Sequence, residues 1–240
     1  MRPAERSRLR VIVLVALLGL ALALLFVGFA RLDLVVAETY YLNPLVFILS
    51  RHPFALFVNA AMQWLTGIVV VALLAGMLWS WLGKRLVLTY GPRHFLYVFL
   101  CFAIGPGLIA NTVFKENWGR ARPMHTKDFG GTLQYTPPFV ISDQCKRNCS
   151  FISGDAASAF SFLAFALLAK RRRGLIALAV VGFGTSIGAI RMLQGAHYLS
   201  DIVFAALFAS LTVLILRELL LDDGCFARPL NAALRRLKLA

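Results

Sequence analysis

Three short clusters of ionisable residues stand out in a chain otherwise poor in charge, and each has the chemistry to handle phosphate. The first is Lys115 with Arg122, followed at once by Pro123. Their spacing is close to two turns of helix, so on a continuing helix both cations share one face, which Pro123 then ends. Two fixed cations suit an anion with several oxygens: Arg grips with two donors and Lys adds a point charge. Either residue alone reads equally well as an interface anchor. The second cluster runs Ser150, Phe151, Ile152, Ser153, Gly154, Asp155 and opens an apolar stretch. Ser, Gly and Asp are natural at a helix start, where capping alone accounts for the serines. The same start offers bare amides and the positive end of a helix dipole, a ready cradle for an anion.

The third cluster is Arg191, His197 and Asp201. His197 and Asp201 stand at i and i+4, which predicts that they stack on one face of a helix. A carboxylate there holds one imidazole nitrogen and leaves the other free, the arrangement that activates a histidine as nucleophile or base. A lone histidine is more often a satisfied core residue, but the company of Arg191 favours the chemical reading.

The elements that must position these groups are membrane spans. The chain has 240 residues, 60% hydrophobic and only 15% charged. Six apolar runs approach the roughly 20 residues a helix needs to cross a bilayer: Val11–Ala30, Ala60–Leu82, His94–Val113, Phe151–Ala169, Leu175–Met192 and Leu199–Leu219. Their continuity excludes the alternation of a barrel. The fold class is therefore all-α, a polytopic membrane protein with about six transmembrane helices. The first run is too long for a secretory signal and closes without a clean cleavage site, so it reads as a retained helix. No polar segment is long enough to fold alone, which makes residues 1–240 a single membrane domain with a long outer loop, 115–150.

The net charge of +14 does not point to nucleic acid, because the cations sit in short clusters at the ends of apolar runs rather than on one face. Arg2, Arg6, Arg8 and Arg10, then Lys84, Arg85 and Arg93, the run Lys170–Arg173, and Arg217, Arg228, Arg235, Arg236 and Lys238 fall on one side. The positive-inside rule makes that side cytoplasmic, with both termini in. All three clusters then lie at the outer surface. The segment from Arg31 to Pro53, with Tyr40 and Tyr41, reads as an interfacial element or an ordinary loop. Cys101 falls in a span and Cys225 faces the cytoplasm, so both are expected unpaired. Cys145 and Cys149 share the outer loop, where an oxidising periplasm favours a short disulfide.

At these residues the chain resembles the type 2 phosphatidic acid phosphatase superfamily, in its six-helix branch of membrane lipid phosphatases. The family carries Lys-x6-Arg-Pro, met by Lys115 to Arg122 and Pro123. It also carries Ser-Arg-x5-His-x3-Asp, met by Arg191, His197 and Asp201 with Ile190 in place of the leading serine. The resemblance implies a phosphatase without metal or cofactor. His197 attacks phosphorus, Asp201 orients and charges it, and Lys115, Arg122, Arg191 and the amides of Ser153 and Gly154 neutralise the phosphoryl oxygens. The family's Pro-Ser-Gly-His motif departs here, since Asp155 stands where the acid histidine is expected. Three solutions stay open: Asp155 kept protonated, His125 supplying the proton from the loop, or a leaving group that needs little help.

The implied partners are the bilayer and a phosphorylated lipid presented at the outer face of a bacterial inner membrane; the sequence sets no oligomeric state. Lipid A, undecaprenyl diphosphate, phosphatidylglycerol phosphate and phosphatidate are the candidates. Trp118, Lys127, Lys146 and Arg147 in the long loop favour a large charged headgroup, hence a lean to lipid A and then undecaprenyl diphosphate. A lipid-to-lipid phosphotransferase and a non-catalytic lipid-phosphate binder are the rival readings.

Overall fold

The computed structural model describes residues 3–83, 86–87, 89–222 and 232. Arg2, Lys84, Arg85, Cys225, Arg228, Arg235, Arg236 and Lys238 lie outside them. The described chain is mostly helical: α1 Pro3–Gly28, α2 Leu32–Glu38, α3 Pro53–Gly83, α4 Pro92–Phe102, α5 Lys115–Asn117, α6 Gly154–Ser161, α7 Leu163–Leu168, α8 Arg173–Leu193 and α9 Leu199–Leu220. The one named sheet is a small antiparallel hairpin, β1 Tyr41–Asn43 and β2 Val46–Phe47.

Among the described residues, five helices are long and apolar enough to cross a membrane: Glu5–Gly28, Pro53–Gly83, Pro92–Asn117, Arg173–Leu193 and Leu199–Leu220. Large apolar side chains such as Leu14, Phe57, Trp64, Trp79 and Leu178 are exposed on them, as expected where the neighbour is lipid rather than water. The fourth expected span, Phe151–Ala169, is the exception. It forms a shorter apolar helix, Gly154–Leu168, broken at Phe162 into α6 and α7. Its first half is sunk among other helices: every residue of α6 except Asp155 is buried. Gly154, Ala156, Ala157, Ser158, Ala159 and Ser161 leave little side chain, so α8, α9 and α3 approach its backbone closely. A helix enclosed by protein does not need the full span of one that faces lipid.

The third span also departs from a plain helix. After α4 the chain widens into a π-helical segment, Ala103–Phe114, with Pro106 inside it. Proline lacks the N–H for the regular ladder and its ring crowds the preceding turn, which accounts for an irregular stretch there. This segment carries Asn111 and delivers Lys115 to the outer-loop end of the bundle.

The two ends differ in content. At one end Arg8 on α1 pairs with Glu218 (2.8 Å) near the end of α9 and with Asp222 (3.1 Å) just beyond it. The Arg93 side chain at the start of α4 donates to the Leu220 carbonyl at the same end. At the other end meet the end of the π-helical segment, the start of α6, the end of α8 and the start of α9. Between them the core is aromatic, with Phe114, Phe139, Phe151 and Phe204 in edge-to-face contact. Trp118 joins that core beside Phe114 and Phe151, so it is a packing residue rather than a headgroup contact.

Candidate active site

The turn before α9 sets the site. Gly195 takes a positive φ of 65° at the end of α8, and Tyr198 is the N-cap of α9. His197 therefore precedes the helix instead of riding on it, which corrects the expectation of a shared helical face. The contact forms by capping. Asp201, at the third helical position, accepts the Tyr198 N–H through Oδ2 (2.8 Å), and the same oxygen lies 3.4 Å from His197 Nδ1. Ser150 Oγ donates to that oxygen as well, at 2.5 Å. His197 is 1% exposed; among the described residues neither ring nitrogen makes a hydrogen bond, Nδ1 only facing Asp201 and Nε2 facing no partner. Burial holds the imidazole well below the ordinary histidine range; Asp201 opposes that, and Arg191 and Arg122 add to it. Burial thus favours the neutral ring, with Nδ1 turned toward Asp201 and Nε2 away from it.

Around it stand the three cations. Gly154 opens α6 against Asn111 and Lys115: a Cβ there would lie 2.7 Å from Asn111 Oδ1 and 3.1 Å from Lys115 Nζ. Only glycine lets the ammonium reach the helix start so closely. Ser153 caps α6, accepting the Ala156 N–H at 3.4 Å, and its own N–H donates to the Asp201 carbonyl at 3.3 Å. That amide is committed, so of the two expected amide donors it is the Gly154 N–H that is left for a ligand. Arg191, at the end of α8, forms an ion pair with Asp155 (Nε to Oδ2, 3.1 Å) and donates to Gln194 Oε1 at 2.7 Å. Gln194 Oε1 also accepts from Asn59 Nδ2 of α3 at 3.0 Å.

Lys115 and Arg122 do not share a helical face. Helix α5 ends at Asn117, and Gly119 turns the chain at φ 67°. A Cβ at Gly119 would fall 1.6 Å from the Ser142 carbonyl oxygen, so the outer loop packs directly on this turn. Arg122 then continues in extended backbone, with its Nη2 donating to the Asn148 carbonyl at 2.9 Å. Burial, and then the neighbouring Arg191, lower the Arg122 pKa.

A model of the PAP2 superfamily matches residues 96–223. The chain belongs to the PAP2 superfamily. Among its relatives is the lipid A 4'-phosphatase of Francisella tularensis subsp. novicida, 41% identical over 155 residues, 64% of this chain and 68% of that protein. The lipid A 4'-phosphatase of Rhizobium leguminosarum is 41% identical over 116 residues, 44% of this chain and 50% of that protein. A lipid A 1-phosphatase of Rhizobium johnstonii is 33% identical over 141 residues, 57% of this chain and 48% of that protein. The aligned stretches thus span about half the length of both rhizobial proteins. No solved structure matches the chain.

The PAP2 segment gathers Lys115, Arg122, Ser153, Gly154, Asp155, Arg191, His197 and Asp201 at one end of the bundle. His125 is left at the rim, exposed in the turn Pro123–His125, its pKa lowered by partial burial and by Arg122. Cys145 and Cys149 stand as a disulfide, Cα atoms 5.6 Å apart, and Cys149 leads straight into Ser150. Cys101 is free and buried. Lys127, Lys146 and Arg147 are exposed on the loop, Arg147 facing Glu116 at 3.8 Å. Sequence reasoning passed over Asn59, Asn111, Ser150 and Gln194, which are uncharged, and Asp33, which lies outside the matched segment. It gave Arg120, between Lys115 and Arg122 in the chain, no role.

Proposed function

We propose that this PAP2 protein is a membrane lipid phosphatase that removes a phosphate from an outer-leaflet lipid by way of a phosphohistidine on His197. The observation that carries this reading is His197 itself: buried, with Nδ1 facing Asp201 Oδ2 at 3.4 Å, Nε2 without a partner among the described residues, and Arg191 and Arg122 close enough to lower its pKa. In the reaction His197 Nε2 attacks phosphorus and the bond to the lipid oxygen breaks. Water then attacks phosphorus and the N–P bond breaks, returning neutral His197. Lys115, Arg122 and Arg191 hold the three phosphoryl oxygens as charge redistributes, where preorganised donors contribute most. The departing lipid oxygen takes a proton from Asp155, or from His125 at the rim, and the attacking water later returns a proton to that same group.

In the resting site Arg191 engages Asp155. An entering phosphate competes for that guanidinium, and the exchange leaves Asp155 beside the reacting centre without its partner. The lean toward lipid A rests on the relatives, two of which act at the 4' and one at the 1 position by name. The basic Arg6–Arg10, Arg93 and Lys170–Arg173 on the far side from His197 support N-in, C-in and a site that opens to the periplasm.

The test is phosphate release by the purified chain in detergent, with chelator present, on lipid A, undecaprenyl diphosphate, phosphatidylglycerol phosphate and phosphatidate. Release that disappears in His197→Ala is expected, fastest on lipid A. Release that survives the substitution would remove His197 from the reaction. Transfer of label to a second lipid instead of water would convert the reading to a phosphotransferase.

A further inference from the structure

Behind the catalytic pair lies a second layer of charge that the phosphatase reading does not use. Arg120 is fully buried and four N–H bonds fix it. Nη1 donates to Asp201 Oδ1 (2.6 Å) and Ser200 Oγ (2.9 Å), Nη2 to Asp33 Oδ2 (2.7 Å), and Nε to the Thr136 carbonyl (2.8 Å). Tyr198 covers its plane with the ring centroid 4.3 Å from Cζ, and Tyr135 stands at 5.5 Å. Asp33, from α2, is buried too. It accepts the Ser200 N–H through Oδ1 (2.8 Å) and the Ser200 hydroxyl through Oδ2 (2.5 Å). One short helix outside the PAP2 segment therefore grips both Arg120 and the start of α9.

The two oxygens of Asp201 divide their work: Oδ1 faces Arg120 and Oδ2 faces His197. Burial opposes charge on Arg120, and Asp201 and Asp33 outweigh it, so the guanidinium is held firmly ionised. Count the charges behind the histidine. Asp201 with Arg120 alone is neutral and offers nothing to the positive charge that develops on imidazole as it attacks. Asp33 restores a net negative charge. Without Arg120, two buried carboxylates face each other, and a proton taken up as pH falls can settle on Asp201, which then no longer places its charge beside His197.

We propose that Arg120 and Asp33 are positioning residues for the phosphoryl-transfer step, acting through Asp201 to aim His197 and to keep a single negative charge behind it. This rests on His197 being the nucleophile. Other candidates carry less: the cavity of about 220 Å³ lined by Leu73, Tyr90, His94 and Phe165 is apolar with nothing to say what fills it, and Arg8 is already paired with Glu218 and Asp222.

The experiment uses the full chain in detergent with lipid A as probe and phosphatidate as a second, reading kcat and KM across pH. Arg120→Lys keeps the charge and loses the fork, since an ammonium cannot span two carboxylates with parallel donors. It should lower kcat at least tenfold, leave KM within threefold and keep the wild-type pH profile. Arg120→Gln leaves the carboxylates unneutralised. The ratio of its kcat/KM to wild type, in which the substrate's own ionisation cancels, should fall steadily as pH falls. A damaged fold alone would lower activity without that slope. If Arg120→Gln does not fold, Arg120→Lys decides. Wild-type kcat in Arg120→Lys, or a flat ratio in folded Arg120→Gln, overturns the proposal while an inactive His197→Ala leaves the phosphatase reading standing. An active His197→Ala overturns both.

Discussion

Two carboxylates a short distance apart live in opposite conditions. Asp201 is fully buried, and each of its oxygens has a fixed partner, down to the Ser150 hydroxyl. Asp155 stands at the half-open rim, where the one ion pair found for it is with Arg191. The same split divides the arginines. Arg120 makes four hydrogen bonds, whereas the one found for the Arg122 side chain is to the Asn148 carbonyl. The floor of the site is finished before substrate arrives; the rim is left under-paired, so that phosphate completes it. Fixed groups behind His197 and exchangeable partners in front of it are the division of labour that the proposed phosphoryl transfer requires.

The widest separation should come from the two arginines. Arg122→Ala should lower kcat/KM on lipid A by about 100- to 1,000-fold, the scale of losing one donor to developing charge, with little change in melting temperature. Arg120→Ala should instead cost about 3–5 kcal/mol of stability, because it strands buried carboxylates. Thermal unfolding in detergent measured beside phosphate release separates the two. Equal melting temperatures for both variants would erase the distinction between floor and rim.

Asp155→Asn sharpens the rim. If Asp155 protonates the leaving oxygen, turnover of an alkyl phosphate should fall by roughly 100-fold or more, the ordinary range for an acid catalyst. Undecaprenyl diphosphate, whose leaving group is itself a phosphate, should suffer much less. An equal loss on both lipids would place Asp155 as the resting partner of Arg191 and return the proton to His125.

How far the sequence reached follows the same line. His197 and Asp201 are four residues apart, so their pairing was legible although the contact is made by a helix cap and not by a helical face. The two-turn spacing of Lys115 and Arg122 misled, because Gly119 turns the chain between them at φ 67° under the outer loop. The glycine was visible; what it packs against was not. Five spans were readable from apolar length. The broken α6–α7 element was not, since shortness there reflects enclosure by other helices. Asp33 and Arg120 meet across 87 residues of chain, and nothing local marks that pairing. The signal available was Asp33 itself, one of only 11 acidic residues in the chain and set within an apolar stretch.

The floor should also make stability sensitive to pH. His197 is neutral when folded, its pKa held below the value near 6.5 it regains when unfolded. A depressed histidine favours the folded state above about pH 6.5 and loses that advantage as pH falls below it, since only the unfolded chain then binds the proton. Each unit is worth about 1.4 kcal/mol, so between pH 6.5 and 5 the loss approaches about 2 kcal/mol. His197→Gln removes the proton site, and its melting temperature should fall less than wild type over that window. Parallel curves would mean that the folded imidazole takes up the proton, and with it the picture of a dry, fixed floor would go.

The smallest effect expected is at the Cys145–Cys149 link, and its location makes it informative. The loop it closes is short, so the entropic gain is about 2 kcal/mol at most. Cys149 is buried, its N–H donates to the Lys115 carbonyl at 3.2 Å, and the next residue sends its hydroxyl to Asp201. The link therefore touches floor and rim at one point. Reduction should lower kcat less than tenfold and should not change the pH profile, because no charge is altered. Cys145→Ser with Cys149→Ser should match the reduced protein. A larger loss, comparable with Arg120→Lys, would mean that Ser150 depends on the disulfide for its bond to Asp201, and would join the outer loop to the catalytic floor.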